Sequence, residues 1–153
     1  AMIPHWFLVA DASRAWVYSQ GRRGDLPELV RGFRHDESRR RTQDLVGDRP
    51  GRAPKQQAGV RAVLAQGTDP ADVEKGLFAD ELMTFVLEAL REKKFSSMSI
   101  IAPPPMLGRL RARVPRPLAS RVIDERAHNY TRMREAELRS LLRDIRPRVP
   151  LAM

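Results

Sequence analysis

Residues 6–19 read WFLVADASRAWVYS, and this stretch decides the fold. WFLVA at 6–10 is a short unbroken apolar run, the signature of a buried strand. RAWVYS at 14–19 alternates apolar and polar residues, as a strand lying on a core does. Asp11-Ala12-Ser13 is the short link between them. GRRGDLP at 21–27 is turn chemistry, rich in glycine, aspartate and proline. ELVRGFRH at 28–35 then reads as a third strand, with Leu29 and Phe33 at an even spacing. The chain is therefore expected to open as an antiparallel three-stranded meander.

Periodicity is lost from Asp36 to about Gly67. This segment holds Arg39-Arg40-Arg41, GDRPGR at 47–52 and Lys55-Gln56-Gln57. A loop of that length in a small domain is usually functional or disordered, and it is expected to be mobile. A helix follows. Asp69 can cap it, Pro70 suits its first position, and Asp72 adds charge to its first turn. Phe78, Leu82, Phe85, Val86 and Ala89 share one face of that helix. SMSIIA at 97–102 is a buried strand ended by Pro103-Pro104-Pro105. A short helix through Leu107, Leu110 and Val114 comes next. RVIDERA at 121–127 reads as a last strand, and Leu138, Leu141, Leu142 and Ile145 have the spacing of an amphipathic helix. Beyond Arg146, the tail at 147–153 is expected to fray.

The expected fold class is α/β: a single domain over residues 2–146. Its order is β-β-β-α-β-α-β-α, with helices packed on a mixed sheet. Ribonuclease-H-like folds share this order, but element order alone assigns no function.

Composition bounds the function. The 153 residues are 42% hydrophobic, enough for one substantial core. No apolar run reaches the roughly 18 residues of a membrane-spanning helix. The apolar start, Ile3 to Ala10, is short and lacks a basic leader, so it does not read as a signal peptide, and a cytoplasmic location is expected. Met2 reads as the natural start, behind an extra Ala1. The chain has no cysteine, which excludes disulfides, thiolate metal sites and cysteine nucleophiles. Net charge is +9 and unevenly spread. Residues 1–108 carry 16 basic and 14 acidic groups, whereas residues 109–153 carry 12 and 5. All twelve of the latter are arginine, whose planar fork suits phosphate and carboxylate, so an anionic partner is expected, with nucleic acid the commonest candidate.

Four stretches together resemble one family. They are WFLVADASRAWVYS at 6–19, GDRPGR at 47–52, FADELMTFVLEAL at 78–90 and SIIAPPPMLGRLR at 99–111. The family is the host attachment proteins, described as "protein required for attachment to host cells". It is similar to bacterial relatives of the central domain of archaeal and eukaryotic release factors. That domain carries a Gly-Gly-Gln loop that reaches the ribosomal peptidyl-transferase centre. The resemblance implies that GDRPGR occupies the corresponding loop. This chain has no Gly-Gly-Gln, and Gln56-Gln57 lacks the paired glycines. Where the pattern places an acidic residue before a Leu-Thr pair, this chain has Asn129-Tyr130-Thr131.

The candidate sites follow from residue type. In GDRPGR, Gly47 and Gly51 allow close backbone approach, Pro50 stiffens the centre, and Arg49 and Arg52 project beside Asp48. Such a loop could grip phosphates through guanidinium and amide contacts. The Pro103-Pro104-Pro105-Met106-Leu107-Gly108 link could place an anion at a helix N-terminus near Met106, with Arg109 and Arg111 adding to it. Its simpler reading is a strand stop and helix start. Asp11, with Asp80 or Glu81 and Asp124, could in principle hold the metal ions of a nuclease. Yet Asp at a turn is also favoured for backbone hydrogen bonding. His5, His35 and His128 lack metal-ligand spacing, and neither a cofactor fingerprint nor a nucleophile elbow is present. Trp6, Trp16, Tyr18 and Phe33 read as core or strand-pairing residues rather than a base-stacking platform.

The leading expectation is a non-enzymatic module that engages RNA or the ribosome through GDRPGR and the basic C-terminal third. It needs no cofactor and no membrane insertion. One alternative is a protein-interaction factor acting indirectly in attachment to host cells, and the other is a metal-dependent nuclease or hydrolase using Asp11.

Overall fold

The computed structural model describes residues 3–35 and 70–147. The loop expected at 36–67, GDRPGR within it, the Asp69 cap and the tail after Pro147 lie outside the described residues. Five strands form one mixed sheet: β1 (His5–Ala10), β2 (Arg14–Gln20), β3 (Glu28–Arg34), β4 (Ser97–Ala102) and β5 (Val122–Ala127). Their order across the sheet is β3-β2-β1-β4-β5. β1 pairs antiparallel with β2 and parallel with β4. β2 pairs antiparallel with β3, and β4 pairs parallel with β5. The described helices are α1 (Pro70–Arg91), α2 (Pro104–Ala112), α3 (Arg116–Ala119) and α4 (Glu135–Ile145). The chain is thus a single α/β domain. Among the described residues its order matches the expected one apart from the four-residue α3, and the ribonuclease-H likeness is one of element order only.

Every residue of β1 and β4 is buried, because these central strands are covered on both faces. On one face, Trp6, Leu8, Ala10, Ala15, Val17, Met98 and Ile100 pack under Phe78, Leu82 and Val86 of α1 and Met106 and Leu110 of α2. On the other, Phe7, Val9, Tyr18 and Ile101 pack under Leu138 and Leu142 of α4. The two faces of β2 are therefore both occupied. Trp6 stacks on Phe85 and Phe95, and Tyr18 and Phe33 are buried, so these aromatics serve the core.

The even spacing of Leu29 and Phe33 does not put them on one face. Phe33 lies opposite Ala15, but the register shifts between Val17 and Tyr18, so that Val17 faces Arg31 and Tyr18 faces Leu29. The extra residue, Val30, makes a β-bulge that switches the face presented by the first part of β3. Phe33 goes into the core under α1, while Leu29 stays 45% exposed on the side of Tyr18. Arg31 occupies the α1 side and lies over the rings of Phe33 and Phe85, at 4.6 and 5.1 Å.

Candidate functional site at the carboxyl edge of the sheet

β1, β3, β4 and β5 all run the same way, so all four end at one edge of the sheet. Ligands of α/β proteins tend to bind at such an edge. Asp11, His35, Pro103 and His128 follow these four strands there, and β2 begins there with Arg14. The chain leaves the described structure just past His35 and re-enters at Pro70. His35 Nε2 lies 3.1 Å from Glu74 Oε2 in the first turns of α1, so both ends of the intervening segment attach at this edge.

Asp11 organises the edge. Its Oδ1 accepts from the backbone N–H of Ser13 and of Arg14, each at 2.8 Å, closing the β1–β2 link as an Asx turn. Its Oδ2 accepts from the hydroxyl of Thr131 at 2.5 Å. The same hydroxyl lies 2.8 Å from Asn129 Oδ1, and with one proton it serves one of these acceptors at a time. Trp16 Nε1 donates to the Thr131 carbonyl at 3.3 Å. The Trp16 ring lies flat over Gly32 of β3, where a Cβ would meet ring carbon Cζ3 at 2.7 Å. Thus the segment 128–133 after β5 is tied to the β1–β2 link and to β2.

Charge collects on this scaffold without acidic partners. Arg14 and Arg34 are directly opposed across β2 and β3. Like charges in that position destabilise a strand pair. Neither forms an ion pair among the described residues, and nor does exposed Arg132. The exposed His128 ring stacks on Tyr130, with centroids 5.1 Å apart and planes 8° from parallel. Met133 and the partly buried Tyr130 pack against the α4-side core, which supports the stack from below.

The other sequence candidates are placed differently. Arg109 and Arg111 lie in the last turn of α2, not at its N-terminus. At 1.5 Å of rise per residue they stand roughly 7–10 Å along the helix from Pro104. There they suit the negative end of the helix dipole. Arg111 grips Glu125 of β5 through Nε and Nη2, at 2.8 and 2.6 Å. The anion site expected near Met106 is thus left without these two arginines, and Met106 itself is buried in the core. Asp80 pairs with Arg113 at 2.9 Å and Asp124 with Arg126 at 2.8 Å, while Glu81 lies 3.8 Å from His35. Among the described residues these carboxylates do not converge on Asp11, and no group of three potential ligands is found.

At the opposite edge, His5 is fully buried, its Nδ1 2.7 Å from Ser97 Oγ and its Nε2 2.9 Å from Ser99 Oγ. Burial, reinforced by Arg146 and Arg23, pushes its pKa down to about 3. Arg146 donates to Gln20 Oε1 at 3.1 Å, and Arg23 donates to the carbonyls of Arg146 and Pro147 at 3.1 and 2.7 Å. Pro147, expected to begin a frayed tail, is therefore tied to the β2–β3 turn. This cluster seals the sheet and offers no open acid or base.

The molecule is thus a one-domain α/β protein with a cationic, aromatic carboxyl edge. It belongs to the family described as "Protein required for attachment to host cells", whose model matches residues 6–142. No curated protein matches the chain. Among the described residues no helix is long and apolar enough to cross a membrane.

Sequence reasoning missed Arg14, Arg34, His128, Tyr130 and Arg132 as a group. The alternation of His128, Tyr130 and Arg132 was a usable signal. The Arg14–Arg34 pair was not, because its juxtaposition depends on strand register.

Proposed function

We propose that this chain is a non-enzymatic binding factor that engages RNA, with the ribosome as its carrier. The carrying observation is the pair of opposed arginines, Arg14 and Arg34, held without an ion pair among the described residues at the edge where four strands end. A fold that accepts this repulsion gains from an anionic partner that relieves it. The arginine excess of residues 109–153 supports the same reading. Gly47, Asp48, Arg49, Pro50, Gly51 and Arg52 lie outside the described residues and enter this reading on their sequence alone. On this reading the chain acts in the cytoplasm, and its part in attachment to host cells is indirect.

The test is binding of the purified protein to ribosomes and to structured RNA at low and high salt. The variants are Arg14→Ala/Arg34→Ala/Arg132→Ala and Arg49→Ala/Arg52→Ala. Affinity that falls steeply with salt and is weakened by the first set is the expected result. Absence of binding at low salt would sink the reading.

A second reading, a protein-interaction factor in host attachment, is favoured by the outer edge of β3. That strand ends the sheet and exposes Leu29 and Val30 at 45 and 42%, and Leu26 in the turn before it is 43% exposed. An apolar sheet edge is a template for an added strand. Recovery of a protein partner after nuclease treatment, lost on Val30→Lys, would favour it.

A further inference from the structure

We propose that His128 and Tyr130 form a stacking platform for one unpaired RNA base, with Arg14, Arg34 and Arg132 taking the phosphates beside it. This deepens the RNA reading and rests on it. Three observations carry it.

First, the ring pair is built. Tyr130 is anchored against the core beside Leu138 and Leu142, and His128 lies parallel on it, 8° off and exposed. A parallel ring pair anchored on one side and open on the other presents a flat π-face to a base. A solvated loop has no need to hold two rings in this way.

Second, the backbone that presents the rings is fixed. Thr131 bonds Asp11 through its hydroxyl and Trp16 through its carbonyl, and its N–H donates to Asn129 Oδ1 at 3.3 Å. The first two of these bonds join residues 120 and 115 positions apart in the chain. The platform is therefore pre-organised, and binding does not bear the cost of ordering it.

Third, cationic side chains accompany the rings. His128, Tyr130 and Arg132 follow at every second position, while the backbone N–H of Arg14 closes the Asx turn of Asp11, whose other carboxylate oxygen Thr131 contacts. Stacked rings accompanied by guanidinium groups that form no ion pair among the described residues fit an extended single strand, whose bases are free to splay and whose phosphates are spaced along it. An acidic peptide would use the arginines and leave the rings idle. A duplex keeps its bases stacked on one another and would use the arginines alone.

The test is fluorescence-anisotropy titration with a short labelled oligouridylate and with a duplex of equal length. Wild type is compared with His128→Ala and His128→Phe. His128 is exposed, so neither substitution threatens the core, and His128→Phe keeps the ring. The expected result is a roughly 5- to 150-fold weaker single-strand affinity for His128→Ala, the range of one lost base stack, with affinity retained in His128→Phe. Duplex affinity stays unchanged in both. Equal single-strand affinity in wild type and His128→Ala would overturn the platform. If ribosome binding still responded to Arg14→Ala/Arg34→Ala/Arg132→Ala, the RNA reading would survive that outcome. Absence of any RNA or ribosome binding at low salt would overturn both.

Discussion

Asp11 and His5 are both polar residues at the ends of one buried strand, yet their environments differ. Asp11 is partly exposed and accepts three hydrogen bonds of normal length or shorter, two from amides and one from Thr131. That satisfies a carboxylate and fixes a turn. His5 is fully enclosed, so its protonated form is disfavoured. The sign of the consequence is clear. The folded pKa of about 3 lies below the ordinary 6.5, so between these values the unfolded chain binds a proton that the folded chain refuses. The stabilisation is complete above pH 6.5 and is lost as pH falls towards 3. It amounts to a few kcal/mol at most, on the order of 1.4 kcal/mol for each tenfold change in proton affinity. NMR of the imidazole should show His5 neutral at pH 5, and the urea midpoint should fall between pH 7 and pH 4. A His5 ring that titrates near 6.5 in the folded protein would contradict this.

At the scale of elements, α1 shows how one backbone position can be improved. Lys93 has φ 59°, in the left-handed region. Its N–H donates to the Leu90 carbonyl at 2.9 Å, and that of Lys94 to Ala89 at 3.0 Å. This is the Schellman pattern, which favours glycine. Lys93→Gly should therefore stabilise the protein by about 1 kcal/mol, read as a higher urea midpoint with an unchanged slope. No change, or a loss, would mean that the lysine side chain offsets the strain. The same scale explains a failed expectation. Even spacing placed Leu29 with Phe33, but the bulge at Val30 parts them, since one added residue turns every following side chain to the other face.

For the whole molecule, the decisive property is where charge lies, not how much there is. Of the arginines in residues 109–153, Arg111 and Arg113 are engaged by acids of neighbouring elements and Arg126 by Asp124 of its own strand. Arg139 donates to the Pro27 carbonyl at 2.6 Å and so clamps α4 to the β2–β3 turn. A uniform basic third is thus divided into structural arginines and a few that face outward. If Arg14, Arg34 and Arg132 hold phosphates, replacing all three with alanine should lower the salt slope of RNA binding by about 2. The same change at Arg111, Arg113 and Arg126 should alter stability and leave that slope alone. Slopes measured by titration at several salt concentrations decide between the two sets.

Much of the architecture was legible in the chain itself. The runs WFLVA and SMSIIA specify buried central strands, because only a strand covered on both faces tolerates unbroken apolarity. The period of Phe78, Leu82 and Val86 specifies the helix that covers them. Family membership was legible as well, since it rests on local stretches such as SIIAPPPMLGRLR. The functional edge was not. Arg14 meets Arg34, and Thr131 meets Asp11, only through register and through contacts more than a hundred residues apart. Arg109 and Arg111 seemed as available as any arginine until the pitch of α2 aimed Arg111 at Glu125. Local pattern determines what a segment becomes, because propensity and periodicity act within a few residues. Which charges are consumed and which remain free is decided only when the sheet closes, because it depends on neighbours that the chain order does not contain.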